Sequence, residues 1–324
     1  MTISRRVIIG LPALVGLSAH AQGEADWPKR PIRVIVSAAA GSAGDDVIRL
    51  VVAGVGDRLH QQFVVDDRPT AGGTLAEQDL SRSVPDGYTI GLISTSTHVI
   101  AKLFDPDLPY DSIKDFAPIS LLGSSPYVLA VNPGLPVKTV AELLALAKQR
   151  QTPLSSAAFG TNSLGYLASL LFAQQAGIEL NQIPYRSSAQ AVVDVVAGRV
   201  DMQFSTLPPA VSLIREGKLR ALATTGTKRF PTLPDVPTLV ESGLKDFDVA
   251  LWLGMAAPAG TPSDIVSKLG SEINAVLAMP EMRDAMMRES FIAEPSSPAA
   301  LASRIVADME KWRSVVASAR GAPH

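Results

Sequence analysis

The 324-residue chain has no cysteine, so no disulfide and no thiolate metal site forms within it. A chain of this length and 47% hydrophobic content buries enough apolar surface to do without one. Histidine is nearly as scarce: His20, His60, His98 and His324 are all there are. No two are four apart and no HExxH occurs, which excludes the common zinc-hydrolase arrangement. A Gly-Lys-Ser/Thr phosphate loop is missing at the first glycine-rich turn. So is the dinucleotide fingerprint, because Gly41 and Gly44 are three apart with no third glycine in place. There is no surplus of basic charge. Without Arg5 and Arg6, 27 of the 29 basic residues face 31 acidic ones, a net charge of −4. Nucleic-acid binders usually carry a basic face, so that class is excluded. Beyond the N-terminus no apolar run is long enough to cross a membrane.

What is present begins with an address. Arg5 and Arg6 precede the apolar run Val7–Leu17, and Ala19-His-Ala21 has the small-x-small cleavage pattern. Residues 1–21 read as a cleaved export signal, by the general or the twin-arginine route, which places the mature protein in the periplasm.

The chain is organised around residues 31–49, PIRVIVSAAAGSAGDDVIR. Ile32, Val34, Ile35 and Val36 suit a parallel strand covered on both faces. Ser37–Gly44 holds only small residues, and Val47, Ile48, Val51, Val52, Val55 and Leu59 recur at helical spacing. A helix entered through such a loop turns free N–H groups and its positive dipole end toward the crevice above the strand. Two readings stand: a backbone cradle for an anion, or a tight turn that needs small residues to pack.

The pattern continues as an α/β fold. Strands are predicted at Phe63–Asp66 and Tyr88–Ile93, with a helix to about Ser83 between them and a loop at Ser94–Thr97. In parallel sheets ligands sit at the carboxyl ends of strands, where Ser94 and Thr95 fall. Phe116–Val131, broken at Gly123–Pro126, reads as a crossing into a second domain. There Ser155–Ala158, the loop Phe159–Ser163 and the helix Leu164–Ala176 repeat the opening unit. A strand at Ile178–Pro184, a helix at Ala189–Ala197, a strand at Asp201–Ser205, a helix at Pro209–Glu216 and a strand at Leu219–Thr224 follow. Val249–Ala256 reads as the return crossing, and the rest as helical. The expected domains are 22–123 with 248–324, and 124–247, with a hinged cleft between them.

An enzyme is the rival class. Gly160–Gly165 (GTNSLG) is near the serine-nucleophile elbow but has two residues between Gly160 and Ser163 where the elbow has one. His98 is the candidate base for Ser163.

Several short segments carry a resemblance: WPKRPI at 27–32, DRPTAGG at 67–73, PDGYT at 85–89, Tyr110-Asp111 with DFAP at 115–118, and Pro184-Tyr185. GKLRALA at 217–223, LPDVPT at 233–238 and AAPAGTP at 256–262 complete the set. In number, order and spacing they resemble the extracytoplasmic solute receptors of tripartite tricarboxylate transporters, the Bug (Bordetella uptake) proteins. The resemblance implies a type II periplasmic-binding-protein fold, two α/β domains closing on a ligand. It implies a small carboxylate held by backbone amides and waters from one loop of each domain, here Ala38–Asp45 and Phe159–Gly165. It implies no cofactor and no chemistry, and membrane permease subunits as partners. The first loop departs from the family's Pro-Phe-Ala-Pro-Gly-Gly-x-x-Asp: Gly41 and Asp45 are kept, but Ser37, Ala38, Ala40 and Ser42 replace Pro, Phe, Pro and Gly. Loss of the aromatic at Ala38 leaves room for a bulkier ligand. In the second loop Asn162 stands for a glycine, Tyr166 for a histidine, and Ser187 for a glycine beyond.

The expected ligand-binding residues are therefore Ala38, Gly41, Ser42, Ala43, Gly44, Asp45, Ser94 and Thr95 in the first domain. In the second they are Gly160, Thr161, Asn162, Ser163 and Tyr185. Asp45 either complements the helix dipole or faces the cleft. Ser163 serves as a helix cap beside any binding by Thr161. Tyr185 covers the ligand or packs with its hydroxyl satisfied. Arg49 and Arg186 either balance anionic charge or, the preferred reading, form surface ion pairs. The expected protein is a monomeric receptor that hands its ligand to a permease. A sensor subunit passing its closed form to a kinase is the alternative.

Overall fold

A computed structural model describes residues 27–321, apart from 70–72, 161–162 and 186–187. Ten strands form one mixed sheet in the order β2 (Phe63–Asp67), β1 (Ile32–Val36), β3 (Thr89–Ser94), β9 (Ala250–Pro258), β4 (Phe116–Val131), β7 (Met202–Thr206), β5 (Leu154–Phe159), β6 (Leu180–Tyr185), with β8 (Arg220–Thr224) and β10 (Ile292–Ala293) also paired to β4. The first lobe opens with β1 (Ile32–Val36), α1 (Ala43–Leu59), β2 (Phe63–Asp67), α2 (Thr74–Ser81) and β3 (Thr89–Ser94). β1 lies parallel to both β2 and β3, as a βαβαβ unit requires. The β1 pattern has one reason: Ile32, Val34, Ile35 and Val36 are all buried, covered on one face by α1.

The loop expected after β3 is helical. A π turn, Ser96–Ile100, runs directly into α3 (Ala101–Phe104). Ser94 and Thr97 bond each other across this corner, which shapes the chain more strongly than the propensity of Ser and Thr for open loops.

β4 (Phe116–Val131) is one strand of 16 residues, without the break expected at Gly123–Pro126. It changes partners instead. Phe116–Pro126 runs antiparallel to β9 (Ala250–Pro258), and Tyr127–Val131 runs antiparallel to β7 and β8. Pro126 has no N–H to give and occupies the last position of the β9 ladder. Gly123 is needed for close approach: a Cβ there would overlap the Ile292 carbonyl oxygen of β10 (Ile292–Ala293).

The second lobe comprises α4 (Val140–Gln149), β5 (Leu154–Phe159), α5 (Leu164–Ala176), β6 (Leu180–Tyr185), α6 (Ser188–Val196), β7 (Met202–Thr206), α7 (Leu207–Arg215) and β8 (Arg220–Thr224). β5 is parallel to β6 and β7, so the α/β logic repeats. After β9 the chain returns to the first lobe as α8 (Ser263–Ala278), α9 (Pro280–Arg288), β10 and α10 (Pro298–Gly321).

One hydrophobic core fills the first lobe between β1, β3, α1 and α8. Another is continuous from Ile35 and Ile93, through Trp252 on β9, to Phe172 and Phe204 in the second lobe. α10 belongs to it through Leu301, Ile305, Trp312, Val315 and Val316. It is pinned to the crossing strand, because Trp252 Nε1 donates to Asp308 Oδ2 at 2.7 Å.

Candidate functional site

α1 begins where the sequence places a small-residue loop. Ser42 is its N-cap, extended at φ −83° and ψ 158°, and its hydroxyl accepts from the Asp45 N–H at 3.4 Å. Gly41 precedes it at φ +73°, a conformation that costs other residues strain. The Asp45 side chain turns inward. It is 2% exposed, accepts from the Gly41 N–H at 2.8 Å and pairs with Arg49 Nε at 2.7 Å. Burial alone would raise its pKa, but the Arg49 and Gly41 hydrogen bonds hold it below the ordinary carboxylate range. Arg49 reaches on to Asp67, whose own carboxyl is raised by burial and then by the Asp45 charge. Asp45 therefore fastens the loop to the helix and does not line the cleft.

The loop forms one wall of a cavity of about 460 Å³ between the lobes. Ser37, Ala38, Ser42, Ala43 and Gly44 come from this turn, and Leu92, Ser94, Ser96 and Thr97 from the end of β3 and the π turn. Ser125, Leu251 and Leu253 of the crossing strands and Phe291 also line it. From the second lobe come Thr206, Pro208 and Pro209. Every charged side chain among the described residues lies outside this lining. The cavity sits at strand ends and at a helix start, where α/β folds bind ligands. A helix start supplies N–H donors and positive potential, and so accepts an anion.

Of the residues singled out from the sequence, the structure brings Ala38, Ser42, Ala43, Gly44 and Ser94 into this lining. Gly41 shapes the turn from behind. Thr95 is 1% exposed and works inside the fold: its Oγ1 accepts from the Trp252 N–H at 3.0 Å, tying the π turn to β9. Ser163 caps α5, accepting from the Tyr166 N–H at 3.2 Å, and its hydroxyl donates to the Gly160 carbonyl at 3.1 Å. It lines a separate hollow of about 70 Å³, which adjoins the larger one at Thr206. Gly160 carries φ +68° and donates its N–H to the Tyr185 carbonyl at 3.3 Å. The Tyr185 hydroxyl donates to Asp194 Oδ2 at 2.6 Å, so its polar end is satisfied away from both hollows. Thr161, Asn162, Arg186 and Ser187 lie outside the described residues.

The second lobe thus faces α1 through the start of α7, with the start of α5 in the adjoining hollow. Sequence reasoning missed Thr206, Pro208 and Pro209, although Thr-Leu-Pro-Pro is a legible signal of a helix start. It also left out Ser37 and Thr97, which lie in the two loops it had singled out, and Ser125, an isolated hydroxyl that nothing local marks as special.

Behind Ser37 and Thr97 lies a buried acid. Glu77 is 1% exposed and His98 fully buried, with Glu77 Oε2 and His98 Nδ1 3.9 Å apart. Burial pushes the Glu77 carboxyl up to about 8, against the nearby Thr97 and Ser37 hydroxyls, neither of which makes a well-formed hydrogen bond to it. Burial pushes His98 down to about 3. Both are therefore neutral at pH 7. His98 packs edge-on against Phe116, with ring centroids 4.6 Å apart, and Thr97 Oγ1 lies 3.2 Å from its Nδ1. With His98 sealed there and Ser163 used as a cap, the geometry does not assemble a serine hydrolase.

Residues 47–320 match the family model described as the tripartite tricarboxylate transporter family receptor. Protein BugT of Bordetella pertussis is 33% identical over 308 residues, covering 94% of this chain and 93% of BugT. A solved R. palustris protein with adipate is 31% identical at a TM-score of 0.79, covering 91% of this chain and 98% of that one. MatC from Rhodopseudomonas palustris, with bound malate, is 31% identical at a TM-score of 0.74, covering 90% and 100%. The fold is that of the two-domain periplasmic binding proteins, and the chain belongs to the tripartite tricarboxylate transporter receptors, the Bug proteins.

Proposed function

We propose that this chain is a periplasmic receptor that captures a small carboxylate in the cavity between its lobes and presents it to the permease subunits of a tripartite transporter. The observation that carries the reading is the Ser42–Gly44 turn at the cavity wall. There a helix start meets a lining whose described side chains are all uncharged. Main-chain N–H groups and hydroxyls are then the donors for the anion. The adipate and malate held by the two R. palustris relatives support a carboxylate.

The lobes are residues 22–123 with 248–324, and 124–247. The exchange of β4 partners after Pro126 supports this division. Capture proceeds by hinge closure about β4 and β9, driven by the ligand's better fit to the closed form. Gly160 and Ser163, at the start of α5, approach the ligand on closure, Thr206 lying between the two hollows. The protein acts by binding, not by turnover, and residues 1–21 direct its export.

A thermal-shift screen of mono- and dicarboxylates tests the reading. A ligand at a hundredfold its Kd stabilises a receptor by about 2.7 kcal/mol, which is readily detected. Stabilisation by at least one small carboxylate is expected. Failure of all of them would reject the proposal.

A further inference from the structure

Two features of the cavity bear on which carboxylate it takes. The first is the unequal provision of donors on its two sides. The start of α1 offers the N–H groups of Ala43 and Gly44. The start of α7 faces it with Pro208 and Pro209 in the first turn, so Leu207 is the sole N–H donor among the first three helical residues. A proline pair at that place leaves a wall whose described donors are the Leu207 N–H and the Thr206 hydroxyl, too few for a second carboxylate. Leu251, Leu253 and Phe291 extend the apolar surface, and no charged side chain among the described residues lines the cavity. A second negative charge placed there would lose its water without replacement.

The second feature is Ser125. It is 4% exposed, it lines the cavity, and its Oγ has no hydrogen-bond partner. Neighbouring hydroxyls differ: Ser37, Ser96 and Thr206 of the lining are open enough for water to meet them. Ser94 and Thr97 satisfy each other, and Ser42 caps α1. An unpaired buried hydroxyl is costly unless something meets it. Ser125 pairs with Leu251 on β9, two residues along from Leu253, and Leu253 is the side chain that Gly44 abuts. That offset is roughly 7 Å along the strand. Gly44 and Ser125 therefore adjoin β9 at positions two residues apart.

On the carboxylate-receptor reading above, we infer that the preferred ligand is a monocarboxylate with an apolar or aromatic body and one neutral hydrogen-bonding substituent that meets Ser125. The single charge sits at α1, the body lies against Leu251, Leu253 and the proline pair, and Ser125 Oγ bonds the substituent.

Three acids on one frame test this by calorimetry: phenylacetate, 4-hydroxyphenylacetate and 4-carboxyphenylacetate, with adipate as a flexible dicarboxylate. On the wild-type protein the hydroxy acid is expected to bind tightest, about fivefold better than phenylacetate, the gain one neutral hydrogen bond supplies. The aromatic dicarboxylate and adipate are expected to bind at least tenfold more weakly. Ser125→Ala is expected to erase the advantage of the hydroxy acid over phenylacetate. Tighter binding of either dicarboxylate overturns this inference while leaving the receptor reading intact. An unchanged hydroxy-to-plain ratio in Ser125→Ala overturns it too. No binding by any acid, in the titrations and across the wider screen, rejects both readings. The wild-type series decides the matter even if the variant is unstable.

Discussion

Gly41 and Glu77 show how single residues set this site. Gly41 holds φ +73° with open space where a Cβ would stand, so a substitution there meets backbone strain and no clash. Gly41→Val is expected to cost about 1–3 kcal/mol of stability, the usual cost of such strain. By turning the 41–44 segment away, it should also weaken carboxylate binding more than tenfold. Thermal melts and calorimetry read the two effects, and full affinity in the variant would mean the turn does not hold the ligand. Glu77 makes a pH prediction with a definite sign. Its folded pKa, about 8, lies above its ordinary 4.5, so its contribution is complete below 4.5 and is lost as pH rises to 8. His98 runs the other way, complete above 6.5 and lost as pH falls to about 3. Between 4.5 and 6.5 the two slopes oppose each other. From 6.5 to 8 only Glu77 acts, at up to about 1.4 kcal/mol per pH unit. Glu77→Gln should therefore flatten the fall in melting temperature over that interval. Equal slopes in wild type and variant would show that Glu77 is already ionised. Ionised Glu77 behind Ser37 and Thr97 would also repel a carboxylate, so affinity should drop above pH 8 in the wild type only.

At the scale of elements, the crossing strands hold the cleft. β10 passes so close to Gly123 that a methyl group has no room beside the Ile292 carbonyl. Gly123→Ala is expected to destabilise the protein by about 1–3 kcal/mol through overpacking, measured by denaturant unfolding. No loss would mean that β10 moves aside freely. The β1–loop–α1 unit was legible because three signals coincide there: a β-branched run, small residues, then a 3.6-residue apolar repeat. Leu164–Ala176 was read to the residue for the same reason, with Ser163 before it and Gly177 after it. β4 was legible in its bounds, Phe116–Val131, but not in its continuity, because Gly123 and Pro126 normally interrupt a strand. Here each serves a pairing with a distant segment, β10 or the end of the β9 ladder, that no local window contains. The Ser94–Thr97 turn misled likewise, its hydroxyls bonding into a π turn instead of an open loop. Asp45 was open between two uses, and the deciding partners, Gly41 and Arg49, lie four residues to either side of it. Thr206 was legible as a helix start but not as part of the site, and Ser125 was beyond reach, since the place of each in the cavity depends on how two lobes meet.

The whole molecule is a clamp with uneven jaws. The first lobe brings a helix start with free donors, the second a proline-led helix start, and β4 and β9 join them. α10 runs behind, in the core that continues into the second lobe. Trp312→Ala removes a buried side chain from that core and is expected to cost about 3–5 kcal/mol. A melting temperature within a degree of wild type would show that α10 adds little to the joint. The central claim is that main-chain donors at the start of α1 hold the anionic end of the ligand. A crystal structure with the tightest-binding acid from the screen tests it directly. The account predicts carboxylate oxygens within about 3 Å of the Ala43 or Gly44 nitrogen, in the range of a charge-assisted hydrogen bond. A carboxylate bound elsewhere, with that turn facing only water, would contradict it.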